Sequence, residues 1–269
     1  MRKLPLIVTM LVTLTAFMIP LGWTILTAFK SDLQLQQAPL ALWPQPWAAS
    51  NFPRALEVVP MHRYTLNTLI LAGSVCLGHL FSCPLAAYAL LKLRGRWAGW
   101  LKGLTLVAFV VPYPAVMVPQ YFMFQKLGLV NTPWPLILPA FLGSPFFILY
   151  LMRVFRALPR ELEEAALLEG AGFWTILTQI VMPLSRPALL AMSVLSLQFV
   201  WNDFLGPLLY LQDPSLYTVN LGLQFYRGSY QVEWNLMMAA ALISILPVVV
   251  LFMLAQRAFL DTQLDGSGK

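Results

Sequence analysis

The chain has 269 residues, 59% of them apolar and 10% charged, with a formal net charge of +6 and a mean hydropathy of +0.72. A soluble domain carries about 25% charged residues, so these side chains cannot cover a water-facing surface, and the chain reads as a multi-spanning membrane protein. In a soluble protein the basic balance would suggest nucleic acid; here it is the excess of Lys and Arg that orients membrane proteins, and no nucleic-acid partner is expected.

At about 20 residues per span, roughly six helices fit. The apolar runs are continuous and do not alternate over about ten residues, which argues against a β-barrel. The fold class expected is therefore an all-α membrane protein, with helices near 5–29, 64–91, 101–124, 135–157, 185–211 and 236–260. The first begins with the basic "MRK" but runs apolar from Leu4 to Phe29 without a small-x-small cleavage site. It is expected to span the membrane and not to be removed as a signal peptide. It forms, with the loop behind it, a segment 1–63 ahead of a core at 64–269. Cys76 and Cys83 lie seven apart in the second apolar run and read as packing residues. His62 and His79 fit no metal-ligand pattern, so no metal and no catalytic group is expected.

Of the 17 Lys and Arg residues, twelve fall on one side of these helices and five on the other. The richer side, which holds Arg94, Arg96, Arg153, Arg156 and Arg160, is expected to be cytoplasmic, with both termini. Two loops on the poorer side, Lys30 to Arg63 and Gln212 to Asn235, mix aromatic and polar residues and suit either interfacial anchoring or docking of an outside partner. Prolines recur within the apolar runs, at 84, 112, 114, 119, 139, 145, 207 and 247. Each removes a backbone donor and allows a bend.

Four of the eleven acidic residues, Glu161, Glu163, Glu164 and Glu169, gather between the fourth and fifth helices in "RALPRELEEAALLEGAG". Pro159 suits a helix's first turn, Glu161 and Glu163 lie near its positive end, and Gly170 and Gly172 can end it. At about 100° per residue, Leu158, Leu162, Ala165 and Ala166 form one stripe flanked by glutamates. Anionic headgroups oppose this charge at a membrane surface, so the helix reads either as a solvated loop helix or as a docking site for a cytoplasmic protein.

The segment "EEAALLEGAGFWTILTQIVMPLSRP" resembles the EAA loop of ABC-importer permeases, whose pattern is E-A-A, three residues, Gly, nine residues, I-x-L-P. Glu164-Ala165-Ala166 is followed by Gly170, then by Ile180 and Pro183; Met182 replaces the pattern's Leu, and Glu169 stands where sugar importers often carry Asp. "NTLILA", "LAAYALLKLRGR", "LGLVNTPWPLILP", "WNDFLGPLLYL" and "WNLMMAAALISILPVVVLFMLAQRAF" follow in order and are similar to carbohydrate-type permeases, above all the six-helix subunit of the maltose/glycerol-3-phosphate type.

The resemblance implies the type I importer fold, with a cytoplasmic coupling helix inside the loop 158–184. It implies a second, unlike permease subunit, two ATPase subunits and an extracytoplasmic solute-binding protein as partners, in a bacterial or archaeal inner membrane. It also implies that Glu164, Ala165, Ala166, Gly170 and Pro183 couple the permease to ATP hydrolysis. ATP and Mg would belong to the partner ATPase, with no cofactor in this chain. The sequence has no G-x-x-x-x-G-K-[ST] phosphate loop; the terminal "GSGK" only resembles its tail.

Candidates for a substrate path are Asn67, Gln198, Trp201, Asn202 and Asp203, with Trp201 and Tyr210 offering aromatic surfaces. A charge in mid-membrane costs about 2.5–3.5 kcal/mol, so Asp203 must face protein or water, as a functional group or as a structural contact. The competing reading is a secondary transporter that works alone on an ion gradient. That reading requires paired ionisable groups inside the spans, and apart from Asp203 these are scarce.

Overall fold

The computed structural model describes residues 3–228 and 232–266, with side chains described for 6–228, 232–250 and Met253. Apolar stretches this long cannot leave backbone groups unpaired in hydrocarbon, and helices pair them internally. The described chain is accordingly helical, with one isolated antiparallel bridge between Arg227 and Val232.

Helix α1 covers Lys3–Ala28, and two short helices, α2 (Asp32–Gln37) and α3 (Asn51–Val58), occupy the first long loop. Helix α4 (Met61–Lys92) is followed by α5 (Arg96–Val110), α6 (Tyr113–Lys126), α7 (Trp134–Leu142) and α8 (Pro145–Arg156). The acidic loop forms α9 (Arg160–Leu168) and α10 (Phe173–Ile176). A π-helical turn over Leu177–Val181 then leads to α11 (Met182–Leu184), α12 (Arg186–Asn202) and α13 (Leu205–Tyr210). Short α14 (Val219–Gly222) precedes α15 (Trp234–Gly266); of the terminal "GSGK", residues 267–269 lie outside the described residues.

Leu6–Ala28, Met61–Lys92 and Trp134–Arg156 are each long and apolar enough to cross a membrane. Two bent pairs also qualify if each is one span: α5 with α6, bent by 100°, and Phe173–Leu184 with α12, bent by 79°. The apolar Trp234–Val250 segment of α15 completes the set.

The third and fifth helices expected from sequence are thus not straight. In the third, Val111 takes an extended backbone ahead of Pro112, as the ring of a following proline requires. In the fifth, Pro183 and Pro187 flank Ser185 at the bend, and the last stretch breaks again at Asp203 and Phe204.

The chain divides into two compact units. One comprises Met1–Thr65 with Val219–Val250. Its centre is a polar knot. The Asn51 amide donates to the carbonyls of Ala28 and Lys30, both at 2.8 Å. Asn235 donates to Asp32 at 2.7 Å and to the Lys30 carbonyl at 3.2 Å. The Lys30 ammonium, fully buried, bonds the Pro39 carbonyl at 3.0 Å and lies 4.2 Å from the Trp23 ring centre. Burial pushes its pKa down. Tyr226 donates to the Ala55 carbonyl at 2.6 Å. The polar groups of the two long loops therefore fasten those loops to one another, while Trp43 and Trp47 stay exposed.

The other unit comprises Leu66–Thr218 with Leu251–Lys269. Its core joins Cys83, Ala87 and Tyr88 of α4 to Phe147, Leu151 and Phe155 of α8, to Ile176 and Leu177, and to Met192 of α12. Both cysteines are free and buried, consistent with packing. Polar side chains tie the spans to one another: Ser82 donates to the Ala140 carbonyl at 2.7 Å, and His79 bonds Ser196 at 2.8 Å.

Helix α4 meets α7 where Gly78 leaves room for Ala140, whose backbone carbon lies 3.1 Å from the position a Cβ would take. Gly78→Leu is expected to lower the folding stability by about 1–3 kcal/mol through overpacking. Gly73→Leu, where nothing lies within 4 Å of an added Cβ, should be close to neutral. Thermal unfolding of the two variants in detergent checks the contrast.

Candidate functional site

Helix α9 is set off from α8 by Pro159, which stands as its N-cap and not within its first turn. Glu161 and Glu163 lie in that first turn, where the helix dipole favours negative charge. The other end closes in a Schellman motif: the Gly170 amide donates to Leu167 at 3.0 Å and the Ala171 amide to Ala166 at 2.9 Å. Gly170 has φ +84°, the left-handed region that glycine enters without a Cβ penalty. Gly172 has φ −83° and caps α10 in extended conformation.

The orientation of α9 differs from the stripe read from sequence. Ala166 is half-buried and, with Leu158 and Ala171, packs on the core. Ala165 is exposed, and Leu162 and Leu168 are 46% and 90% exposed. Leu158 precedes the helix and does not share its face. The residue turned inward beside Ala166 is Glu163. Its Oε1 accepts a 2.6 Å hydrogen bond from the Tyr88 hydroxyl and pairs with the Lys92 ammonium, both from the last two turns of α4. Phe173 at the start of α10 packs on the same tyrosine, ring centres 4.9 Å apart. Glu161, Glu164 and Glu169 have no side-chain partner among the described residues and are exposed.

Burial of Glu163 pushes its pKa up, but the hydrogen bonds from Lys92 and Tyr88 and the charges of Lys92 and Arg160 outweigh this and hold it below the ordinary value. Sequence reading placed Glu163 only at the helix dipole. Tyr88 and Lys92, four residues apart at the end of an apolar run, were the signal for a donor pair on one helix face.

Pro183 is half-buried in α11. The Met182 amide bonds the Leu177 carbonyl five residues back, and Pro183, with no N–H, cannot restore the ordinary helical ladder.

The five substrate-path candidates are not brought together. Asn67 is committed to the carbonyls of Ser215 and Tyr217, at 2.9 and 3.0 Å. Asp203 accepts from the Gly206 amide at 3.1 Å and so caps α13. Gln198 and Asn202 share one exposed face of α12, the Asn202 amide donating to the Gln198 carbonyl at 2.8 Å, and Trp201 is half-buried. Tyr210 is fully buried and edge-on to Phe124 at 5.7 Å, so its ring is a packing surface.

A family model described as "Binding-protein-dependent transport system inner membrane component" matches residues 81–261. The chain belongs to that family. This permease is 32% identical over 257 residues, 95% of its length, to the probable ABC transporter permease protein YurM of Bacillus subtilis, of which 85% is covered. It is 30% identical over 239 residues to the sulfoquinovosyl glycerol transport system permease protein SmoH of Agrobacterium fabrum, covering 88% of this chain and 84% of that one. Among solved structures, a chain of a bacterial ABC transporter involved in the import of the acidic polysaccharide alginate superposes with a TM-score of 0.80. That match covers 96% of the permease and 97% of the other chain at 22% identity, and it establishes the type I importer permease fold. The protein is an inner-membrane permease subunit of a binding-protein-dependent importer.

Two outcomes follow from the loop's geometry. Gly170→Ala is expected to destabilise the end of α9 by about 1–2 kcal/mol, the cost of a left-handed L-residue, while Gly172→Ala changes little; limited proteolysis of the loop reads the difference. Because the folded Glu163 pKa is depressed, its contribution is complete above the unfolded value of about 4.3 and is lost as pH falls through the lower folded value. Loop protection should therefore hold from neutral pH into the carboxylate range and drop below it in the wild type, and Glu163→Gln should remove this acid-dependent step.

Proposed function

We propose that this permease passes a sugar or related polar solute across the inner membrane, paired with a second, unlike permease and driven by ATP hydrolysis in two separate ATPase subunits. The observation that carries the ATPase reading is the outward face of α9. There Glu161, Glu164, Ala165 and Leu168 are exposed side by side, and Leu168 is 90% exposed. A bare leucine beside a small residue and unpaired carboxylates suits a protein partner: the small side chain permits close approach, and the charges fix register. ATP and Mg are held by the ATPase; this chain supplies the surface.

The sugar assignment draws support from a relative named for sulfoquinovosyl glycerol transport and a fold neighbour named for alginate import. A solute-binding protein delivers the solute on the extracytoplasmic side, and the exposed Trp43 and Trp47 of the first long loop offer it a contact surface. The excess of Lys and Arg on the α9 side supports a cytoplasmic position for α9 and both termini.

In this mechanism Glu164, Ala165, Ala166, Gly170 and Pro183 form the coupling element. Glu164 and Ala165 meet the ATPase, Ala166 seats α9 on the core, Gly170 ends it, and Pro183 sets the bend into α12. ATPase closure displaces α9 as a rigid piece and converts the cavity between the two permeases from inward-facing to outward-facing. Gln198 and Asn202, exposed together on α12, are the polar groups placed to line that cavity, with Trp201 beside them; Asn67 and Asp203 support the path through their backbone contacts.

The test is purification of the tagged permease from native membranes in mild detergent. Wild type is expected to retain two ATPase copies and one unlike permease. Leu168→Asp and Ala165→Trp are expected to lose about tenfold or more of the ATPase, as hot-spot losses above 1 kcal/mol do, and to keep the second permease. Undiminished ATPase in both variants would remove α9 from the docking site.

A further inference from the structure

Helix α9 has two faces with different chemistry, and the inward one is not explained by docking. Three of the loop's glutamates point to solvent, but Glu163 turns away from it, with its side chain 21% exposed. The hydroxyl it meets belongs to Tyr88, which is 3% exposed. At 2.6 Å this contact has the length of a charge-assisted O–H···O⁻ bond. The Lys92 ammonium reaches the same oxygen and lies 5.3 Å from the Tyr88 ring centre. The packing of Ala166, and of Ala171 just beyond the helix, on the core is apolar and without direction, so it can slide.

Tyr88 is held a second time by Phe173, on the far side of the Gly170 turn. One residue near the end of α4 is thus gripped by both arms of the loop. Helix α4 continues from this point back to Met61, carrying Pro84 inside it without a break, and is long enough to cross the membrane.

We infer that Glu163, Tyr88 and Lys92 form the joint that carries movement of α9 into α4, with Glu163 as the positioning residue. The inference rests on the coupling role proposed above for α9. A partner pressing on Glu164, Ala165 and Leu168 moves α9, and the directional bond from Glu163 makes the end of α4 move with it. The span then tilts as a unit, because its helix stays continuous through Pro84 to its other end.

The experiment uses the complete complex in lipid nanodiscs, with Cys76 and Cys83 replaced by Ala and spin labels at Leu162→Cys on α9 and Ile70→Cys on α4. Ile70 and Leu162 are both exposed and lie outside the docking face. Distances are measured in the resting state and after trapping with ATP and vanadate. With the joint intact, α9 and α4 move together and the distance is the same in both states. With Tyr88→Phe, and separately with Glu163→Gln, the ATPase is retained but trapping shifts the distance by about 2 Å or more, the scale of helix shifts in switching proteins. The reversed pair, Glu163→Lys with Lys92→Glu, brings the constant distance back.

A shift in both single variants that the reversed pair abolishes supports the joint. A distance that stays constant in both single variants overturns it, as does a shift that is already present in the wild type. If the labelled wild type purifies without ATPase, the coupling reading itself fails, and that result is seen before any distance is measured.

Discussion

Oε1 of Glu163 is the point at which a water-exposed loop is fastened to a membrane helix. A carboxylate that leaves water must find donors, and this one finds the Tyr88 hydroxyl and the Lys92 ammonium on consecutive turns of α4. That requirement sets the rotation of α9. With Glu163 inward, Ala166 falls on the core, and Glu164, Ala165 and Leu168 face outward. Pro159 and Gly170 then need only begin and end the helix, and the Schellman motif at Gly170 returns the chain to Phe173, which closes on Tyr88 from the other side.

The same requirement shapes the membrane part. Spans rich in proline lose backbone donors, and some of these losses fall where the chain bends, at Pro112 and around Ser185, while Pro84 and Pro119 lie inside continuous helices. Asp203 would be costly in a continuous apolar helix, but the helix stops at Asn202, and the carboxylate caps the short α13. Small residues elsewhere permit close contact, as at Gly78 against Ala140, with Ser82 bonding the same residue's carbonyl. Such a framework is continuous along each helix and changes direction where a helix is interrupted, which suits a path that opens alternately to either side.

Much of this was legible in the sequence. Composition and unbroken apolar runs gave the helical membrane class, and the resemblance carried by Glu164, Gly170 and Pro183 pointed to the permease family. Gly170 was recognisable as a helix terminator because glycine alone enters the left-handed region without strain. The face of α9 was not legible: a helical wheel ranks residues by polarity, and a glutamate was therefore assigned outward, although long-range donors 71 and 75 residues upstream draw it in. The bends escaped for a similar reason. Prolines recur through the apolar runs, and local sequence does not say which of them a neighbouring helix can absorb. Tyr210 looked available for stacking, but contacts from α6 bury it.

The most direct measurement of the central claim is uptake into proteoliposomes of radiolabelled maltose, as a probe of the sugar class. It compares the full assembly with the permease alone, with ATP inside or with an imposed proton or sodium gradient. Uptake that needs the ATPase, the binding protein and internal ATP, and that ignores the gradient, is the predicted result. Gradient-driven uptake by this chain alone, without ATP, would contradict it.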